Sequence, residues 1–165
     1  MSKTTAANAF PEPEHNHGPC LDLALERAQR AFEASGSRLT ELRHQVFAEI
    51  AGSHDAIGAY DVLDRLARKG TRVAPISVYR AIEALLHAGV IHRLETRNAF
   101  FACHAGHAPE RGQLILLCER CGRVAEVPGE AVFNAIEAAV NSAGFRPGRT
   151  VAEVSGLCAD CQATS

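Results

Sequence analysis

Two pairs of cysteines are the clearest chemical signal in the sequence. Each pair encloses two residues, as Cys118-Glu-Arg-Cys121 and Cys158-Ala-Asp-Cys161, a spacing that lets both thiolates point to one centre. Together the pairs would form a tetrahedral four-sulfur site without an open position, so we expect a structural zinc ion coupled to folding. An iron–sulfur site and a redox dithiol pair are the alternatives, and the ligand type in a reducing compartment favours zinc.

A second set of possible ligands mixes nitrogen, sulfur and oxygen donors. It comprises His92, Cys103, His104, His107 and Glu126. Such donors suit a zinc site that exchanges its ion more readily than four thiolates do. Each residue also has a simpler explanation, as a solvated loop residue, a strand histidine with ordinary partners or a small buried cysteine. Spacing alone leaves both interpretations open.

The stretch from Ala74 to Arg93 is predicted to form a helix that leads into a strand. The other predicted elements must hold this helix in position. Pro75 suits the first turn of a helix, and Gly89 suits the left-handed residue just past its end. The apolar residues recur at helical spacing and form one stripe: Val78, Ile82, Leu85 and Leu86. Strand-like residues follow from Val90 to Leu94 and from Ala99 to Cys103, with a turn between them.

Three further helices are predicted ahead of this stretch, over Leu21–Ala34, from the N-cap Thr40 to Gly52, and over Tyr60–Arg68, with a loop over Ser53–Gly58. Helices followed by a hairpin are typical of a winged helix-turn-helix. Ser77, Tyr79 and Arg80 would then lie near the start of a helix able to enter a DNA major groove. The alternative is an amphipathic surface helix that leads into a hairpin.

The second half predicts a small α+β module. Strands are expected over 113–118, 123–127 and 150–157, with a helix over 129–143 whose apolar residues share one face. We therefore divide the chain into a disordered tail (1–19), a winged-helix domain (20–102), a hinge loop (103–112) and a metal-binding domain (113–165). His15, His17 and Cys20 could bind a metal, but ordering a flexible tail would oppose this.

Composition excludes several classes of protein. The 165 residues carry a net charge of −2, and residues 20–102 hold 11 basic against 10 acidic side chains, so any DNA contact must come from a local cluster. No apolar run is long enough to span a membrane, and no secretory signal begins the sequence. We expect a cytosolic protein with reduced cysteines. No catalytic motif is present, so we do not expect an enzyme.

The pattern resembles the ferric uptake regulator family, and within it the zinc-responsive members. The resemblance covers about Leu21 to Cys161, and its most specific motifs are Arg38–Arg43, Ala59–Leu63, Ser77–Ile82, Cys118–Gly122 and Cys158–Cys161. It implies a homodimeric repressor with an N-terminal winged helix and a C-terminal α+β dimerisation domain. It also implies that Tyr60, Tyr79 and Arg80 contact operator DNA.

The resemblance further implies a sensing site at the hinge, with ligands at His92, Cys103 and Glu126. The family's fourth ligand, a histidine, falls on Arg111 here, and we expect His107, or failing that His104, to replace it. The cysteine favours zinc, since iron and peroxide sensors of the family use nitrogen and oxygen ligands there.

Taken together, these expectations describe a repressor of zinc uptake genes. It would hold two zinc ions per chain, bind palindromic double-stranded DNA, and have neither a membrane nor a small-molecule substrate as partner. The alternatives are an iron or peroxide regulator of the same family, a zinc-stabilised interaction module without DNA binding, and a zinc hydrolase using the hinge metal.

Overall fold

The computed structural model describes residues 9–10, 17–103 and 112–164, which form two compact units. We call residues 17–103 the winged unit. Residues 112–164 form the other, together with residues 9–10, and we call it the cysteine unit. The predicted positions His15, His104, His107 and Arg111 lie outside the described residues.

Four helices make up most of the winged unit: α1 (His17–Ala34), α2 (Glu41–Ala51), α3 (Ala59–Arg68) and α4 (Pro75–His87). Two predicted signals for helix ends are confirmed. The Thr40 side chain caps α2 by accepting a hydrogen bond from the Arg43 N–H, and Gly89, just past α4, has a φ of +69°. The prediction was wrong at the start of α1. That helix begins at His17 rather than Leu21, because Pro19 needs no N–H partner in a first turn.

A three-stranded antiparallel sheet completes the winged unit, in the order β1 (Ile57–Gly58), β3 (Ala99–Ala102) and β2 (Ile91–Leu94). The expected hairpin is present, with Asn98 in the left-handed region at φ +48°. The loop prediction for Ser53–Gly58 was wrong at its end, where Ile57 is buried and pairs with Phe100. Two residues are too few to show the alternation that identifies a strand.

The core of the winged unit explains why its helices are fixed relative to its hairpin. The predicted stripe of α4 is buried at Val78, Ile82 and Leu85, and it packs in one cluster with residues of the other helices and the sheet. These include Phe32, Phe47, Ile50, Val62, Leu66, Ile91 and Phe100. The polar side of α4 is thereby held at the surface.

The cysteine unit has the predicted order of strand, strand, helix and strand. Its elements are β4 (Gln113–Cys118), β5 (Val124–Pro128), α5 (Glu130–Ser142), β6 (Ala152–Gly156) and a short helix α6 (Ala159–Ala163), which the sequence analysis did not predict. β4 is central, with β5 antiparallel on one side and β6 parallel on the other. The two cysteine pairs therefore lie at the same end of β4 and β6.

Apolar side chains of this unit remain exposed in the single chain. No residue of α5 is buried, and Val132, Phe145, Val154 and Leu157 are between 40% and 62% exposed. β6 is also an edge strand, with β4 as its neighbour. No helix in the described part of the chain is long and apolar enough to cross a membrane.

Candidate metal centres and nucleic-acid interface

The cysteine unit brings its four predicted zinc ligands together. The Sγ atoms of Cys118, Cys121, Cys158 and Cys161 all lie within 4.8 Å of one another, and those of Cys121 and Cys158 are 3.8 Å apart. Tetrahedral bonds of about 2.3 Å to zinc require sulfur atoms about 3.8 Å apart. No disulfide joins any of the six cysteines, all of which are among the described residues. The donor set and its spacing therefore fit zinc.

Local backbone geometry creates this cluster. Gly122 turns the chain back in the left-handed region at φ +77°, and its N–H donates to the Cys118 carbonyl at 2.9 Å. The Cys118 N–H in turn donates to the Arg123 carbonyl at 3.0 Å. The second pair is tied to the first because the Cys158 N–H donates to Cys118 Sγ at 3.4 Å.

The thiols differ in how readily they ionise. Burial raises the pKa of Cys118, but backbone N–H groups of Cys121 and Cys158 outweigh it and lower the pKa to about 6. Burial and, after it, hydrogen bonding with the other cysteines together raise the pKa of Cys161 to about 12. The two opposite shifts have different causes, since backbone N–H groups stabilise the Cys118 thiolate whereas burial opposes ionisation of Cys161.

Arg123 is a residue of this cluster that sequence reasoning missed. It is buried, its Nε donates to Cys121 Sγ at 3.2 Å, and its Nη2 donates to Cys158 Sγ at 3.3 Å. The same Nη2 donates to Asp160 Oδ2 at 2.7 Å. This ion pair, with the neighbouring thiols, raises the pKa of Arg123. The sequence signal was only a basic residue directly after the first pair and its glycine.

Phe10 is a second residue that the sequence did not place. It is half-buried and packs against the cluster formed by the cysteines. The sequence predicts a disordered tail at this position, because the surrounding residues are polar and rich in proline. An isolated aromatic residue in such a segment carries no periodic signal.

Two ligands of the predicted mixed site come together within the winged unit. His92 lies on β2 opposite Phe101, and Cys103 directly follows β3, where its N–H donates to the Val90 carbonyl at 3.0 Å. Their ligand atoms lie within 4.8 Å of each other, and both residues are half-buried. One nitrogen and one sulfur atom are therefore available to a single ion here.

Glu126, the third predicted ligand, belongs to the cysteine unit. It lies on β5 opposite Ile115 of β4, it is half-buried, and its Oε1 atom is buried. His107 and its alternative His104 stay predictions, because both lie outside the described residues. Of the N-terminal candidates, Cys20 is half-buried on α1.

The predicted DNA-contacting residues share one region of the winged unit. Tyr60 lies in the first turn of α3 and contacts Tyr79 of α4 edge to face, with ring centroids 6.3 Å apart. Tyr60 is 69% exposed, Tyr79 is 37% exposed, and Arg80 is also exposed. Ser77, in the first turn of α4, is half-buried. We call these four residues the reading face.

The chemistry of the reading face suits nucleic acid. A guanidinium can donate two parallel hydrogen bonds to a guanine edge or a phosphate, and tyrosine hydroxyls donate to phosphate oxygens. The N-terminus of α4 adds backbone N–H groups and a partial positive charge to the same region. These groups can bind DNA locally although the chain as a whole is slightly acidic.

Comparisons with known proteins find relatives of this chain in sequence and in structure. Residues 34–153 match the model of the ferric uptake regulator family. The zinc uptake regulation protein of Escherichia coli K12 is 34% identical over 137 residues, which cover 83% of this chain and 80% of that protein. A structure described as zinc uptake regulator complexed with zinc and DNA aligns with a TM-score of 0.81 at 32% identity, covering 87% of this chain and 96% of that one. The crystal structure of holo XcZur aligns with a TM-score of 0.76 at 36% identity, covering 84% of this chain and 96% of that one.

Proposed function

Because the chain belongs to the ferric uptake regulator family, we propose that it is a zinc-responsive transcriptional repressor of zinc uptake genes. Relatives named for zinc uptake regulation support zinc as the signal, and one of them is solved with zinc and DNA. The observation that carries the proposal is the pairing of Cys103 with His92 in the winged unit. A thiolate beside an imidazole favours zinc over iron. The iron sensors of this family bind their metal through nitrogen and oxygen ligands.

The proposal assigns two zinc ions to each chain. Cys118, Cys121, Cys158 and Cys161 would hold the first, which supplies folding free energy to the cysteine unit. The second is the signal. His92, Cys103 and Glu126 would hold it, with His107 as the fourth ligand or His104 in its place.

The proposed sensing ligands belong to both units, and this provides the switch. When Glu126 and the His92–Cys103 pair hold one ion, the winged unit is restricted in orientation. Zinc can shift that equilibrium only by binding one orientation more tightly than the others. The proposed function includes no catalytic step. It places the protein in the cytoplasm, where chromosomal DNA is found and thiols stay reduced.

The proposed assembly is a homodimer formed by the cysteine unit. Support comes from the exposed apolar side chains of α5 and β6, Val132 and Val154 among them, and from the open edge of β6. A twofold dimer presents two reading faces, which matches a palindromic operator with half-sites about one helical turn apart or a multiple of it.

The test is zinc-dependent operator binding. Protein that retains only its tightly held metal is titrated with palindromic DNA in buffers of fixed free zinc, and fluorescence anisotropy reports binding. We expect binding to begin as free zinc rises, with iron or manganese failing to replace zinc. Binding that does not depend on the zinc concentration contradicts the proposed sensing site. Binding that responds to iron instead supports an iron regulator of the same family.

A further inference from the structure

The proposed structural zinc site holds more negative charge than its ion neutralises. Four thiolates around Zn²⁺ leave a net charge of about −2, and a buried charge is costly unless it is paired. Arg123 supplies a buried cation at this site, since the residue is 7% exposed. Its guanidinium contacts one sulfur of each pair, Cys121 Sγ at 3.2 Å and Cys158 Sγ at 3.3 Å.

The guanidinium is itself held in place by an ion pair with Asp160. Asp160 lies in the first turn of α6, between Cys158 and Cys161 in the sequence, and its Oδ2 accepts from Arg123 Nη2 at 2.7 Å. A guanidinium offers several donors in one plane, so it can reach two sulfur atoms and a carboxylate together. A lysine at this position would keep the charge and lose that geometry.

We propose that Arg123 is a positioning residue of the structural zinc site, which directs the Cys121 and Cys158 thiolates toward the ion, slows zinc release and protects these two sulfurs from electrophiles. The inference rests on the proposed function, because it takes the four cysteines as a zinc site. A thiolate that donates electron density to a cationic hydrogen-bond donor is a weaker nucleophile. Partners behind metal ligands commonly change metal affinity by about 10–100-fold.

The inferred role separates the two zinc ions by lifetime. The proposed sensing site must exchange zinc as the free concentration changes, whereas loss of the structural ion would unfold the cysteine unit. The contacts of Arg123 described above are made at the structural site. Arg123 therefore helps the protein to remain folded while the signalling ion is absent.

The experiment uses the full chain loaded with zinc. Release of the slowly exchanging ion to an excess of a chromogenic chelator is timed, and N-ethylmaleimide labelling of each cysteine is followed by mass spectrometry. Arg123→Met keeps an apolar stem and removes every donor. We expect it to release zinc about 10-fold faster or more, with labelling accelerated first at Cys121 and Cys158. Arg123→Lys should lie between it and the unchanged protein.

Arg146→Met is the matched control. Arg146 is an exposed arginine of the same unit that lies after α5, outside both cysteine pairs. Its substitution should leave both rates close to those of the unchanged protein. Equal acceleration by both substitutions, equal acceleration at all four cysteines, or no acceleration by Arg123→Met would overturn the inference.

If circular dichroism shows that Arg123→Met does not fold, Asp160→Asn tests the inferred role of Arg123 instead. It leaves the arginine in place and weakens only its anchor. Faster labelling at Cys121 and Cys158 supports the inference, and unchanged labelling overturns it. If the unchanged protein holds no slowly exchanging zinc at all, the structural ion of the proposed function is contradicted instead.

Discussion

At the scale of single residues, the proposed function depends on the His92–Cys103 pair and on the reading face. His92 and Cys103 supply donors of different softness within one unit. Arg80 supplies a charged donor on an exposed helix face. Each residue can be altered without removing a core side chain, so effects on binding can be separated from effects on folding.

Cys103→Ser should abolish the zinc response. A serine hydroxyl is a much poorer zinc ligand than a thiolate, so DNA binding in saturating zinc should fall to the level found without added zinc. Zinc content after dialysis should remain one tightly held ion per chain. A variant that responds to zinc as the unchanged protein does would remove Cys103 from the sensor.

Arg80→Ala should weaken operator binding and leave metal binding intact. Loss of a guanidinium contact to a base edge costs about 1–3 kcal/mol, or roughly 5- to 150-fold in affinity. Anisotropy on operator and unrelated DNA, together with zinc content, tests this. Arg72→Ala, at an exposed position in the loop before α4, is the control for general loss of charge and should reduce both affinities alike. Loss of folding in Arg80→Ala would refute the groove-contact role.

At the scale of elements, the sequence predicted what is local and missed what depends on distant contacts. The four helices of the winged unit, the hairpin and the order of the cysteine unit follow from apolar periodicity, from Thr40 as a cap and from glycines at helix ends. β1 was missed because its pairing with Phe100 defines it. Arg123 and Phe10 were missed because their contacts exist only once both cysteine pairs meet. His107 stays a prediction.

Gly122→Ala should destabilise the cysteine unit through its turn. An alanine at φ +77° costs about 1 kcal/mol or more, because Cβ clashes with the backbone in the left-handed region. Thermal unfolding of the zinc-loaded protein should shift to lower temperature. Gly148→Ala is the control, since no atom lies within 4 Å of an added Cβ there. Equal shifts for both would contradict a special role for the turn.

Val154→Asp should disrupt the proposed homodimer. The side chain is 50% exposed on the edge strand β6, and a buried unpaired carboxylate at an interface is strongly unfavourable. Sedimentation or light scattering should show a monomer that binds operator DNA weakly. Leu23→Asp, on an exposed position of α1, should remain dimeric. A dimeric Val154→Asp protein would place the interface elsewhere.

At the scale of the whole molecule, the two units should respond differently to loss of metal. The winged unit has a continuous apolar core, whereas the small hydrophobic cluster around the cysteines consists largely of the cysteines themselves. Prolonged chelation should therefore unfold the cysteine unit first and leave the helices of the winged unit formed. Hydrogen exchange resolved by peptide would report this, and simultaneous loss of protection in both units would contradict it.

The edge-to-face contact between Tyr60 and Tyr79 also gives the protein a built-in optical reporter. The chain contains two tyrosines and no tryptophan, so the near-ultraviolet emission of the folded protein arises almost entirely from these two rings. Both rings belong to the reading face, while the four cysteines of the proposed structural zinc site lie in the other unit. A change in tyrosine emission on adding operator DNA would thus report occupancy of that face directly, without any attached dye.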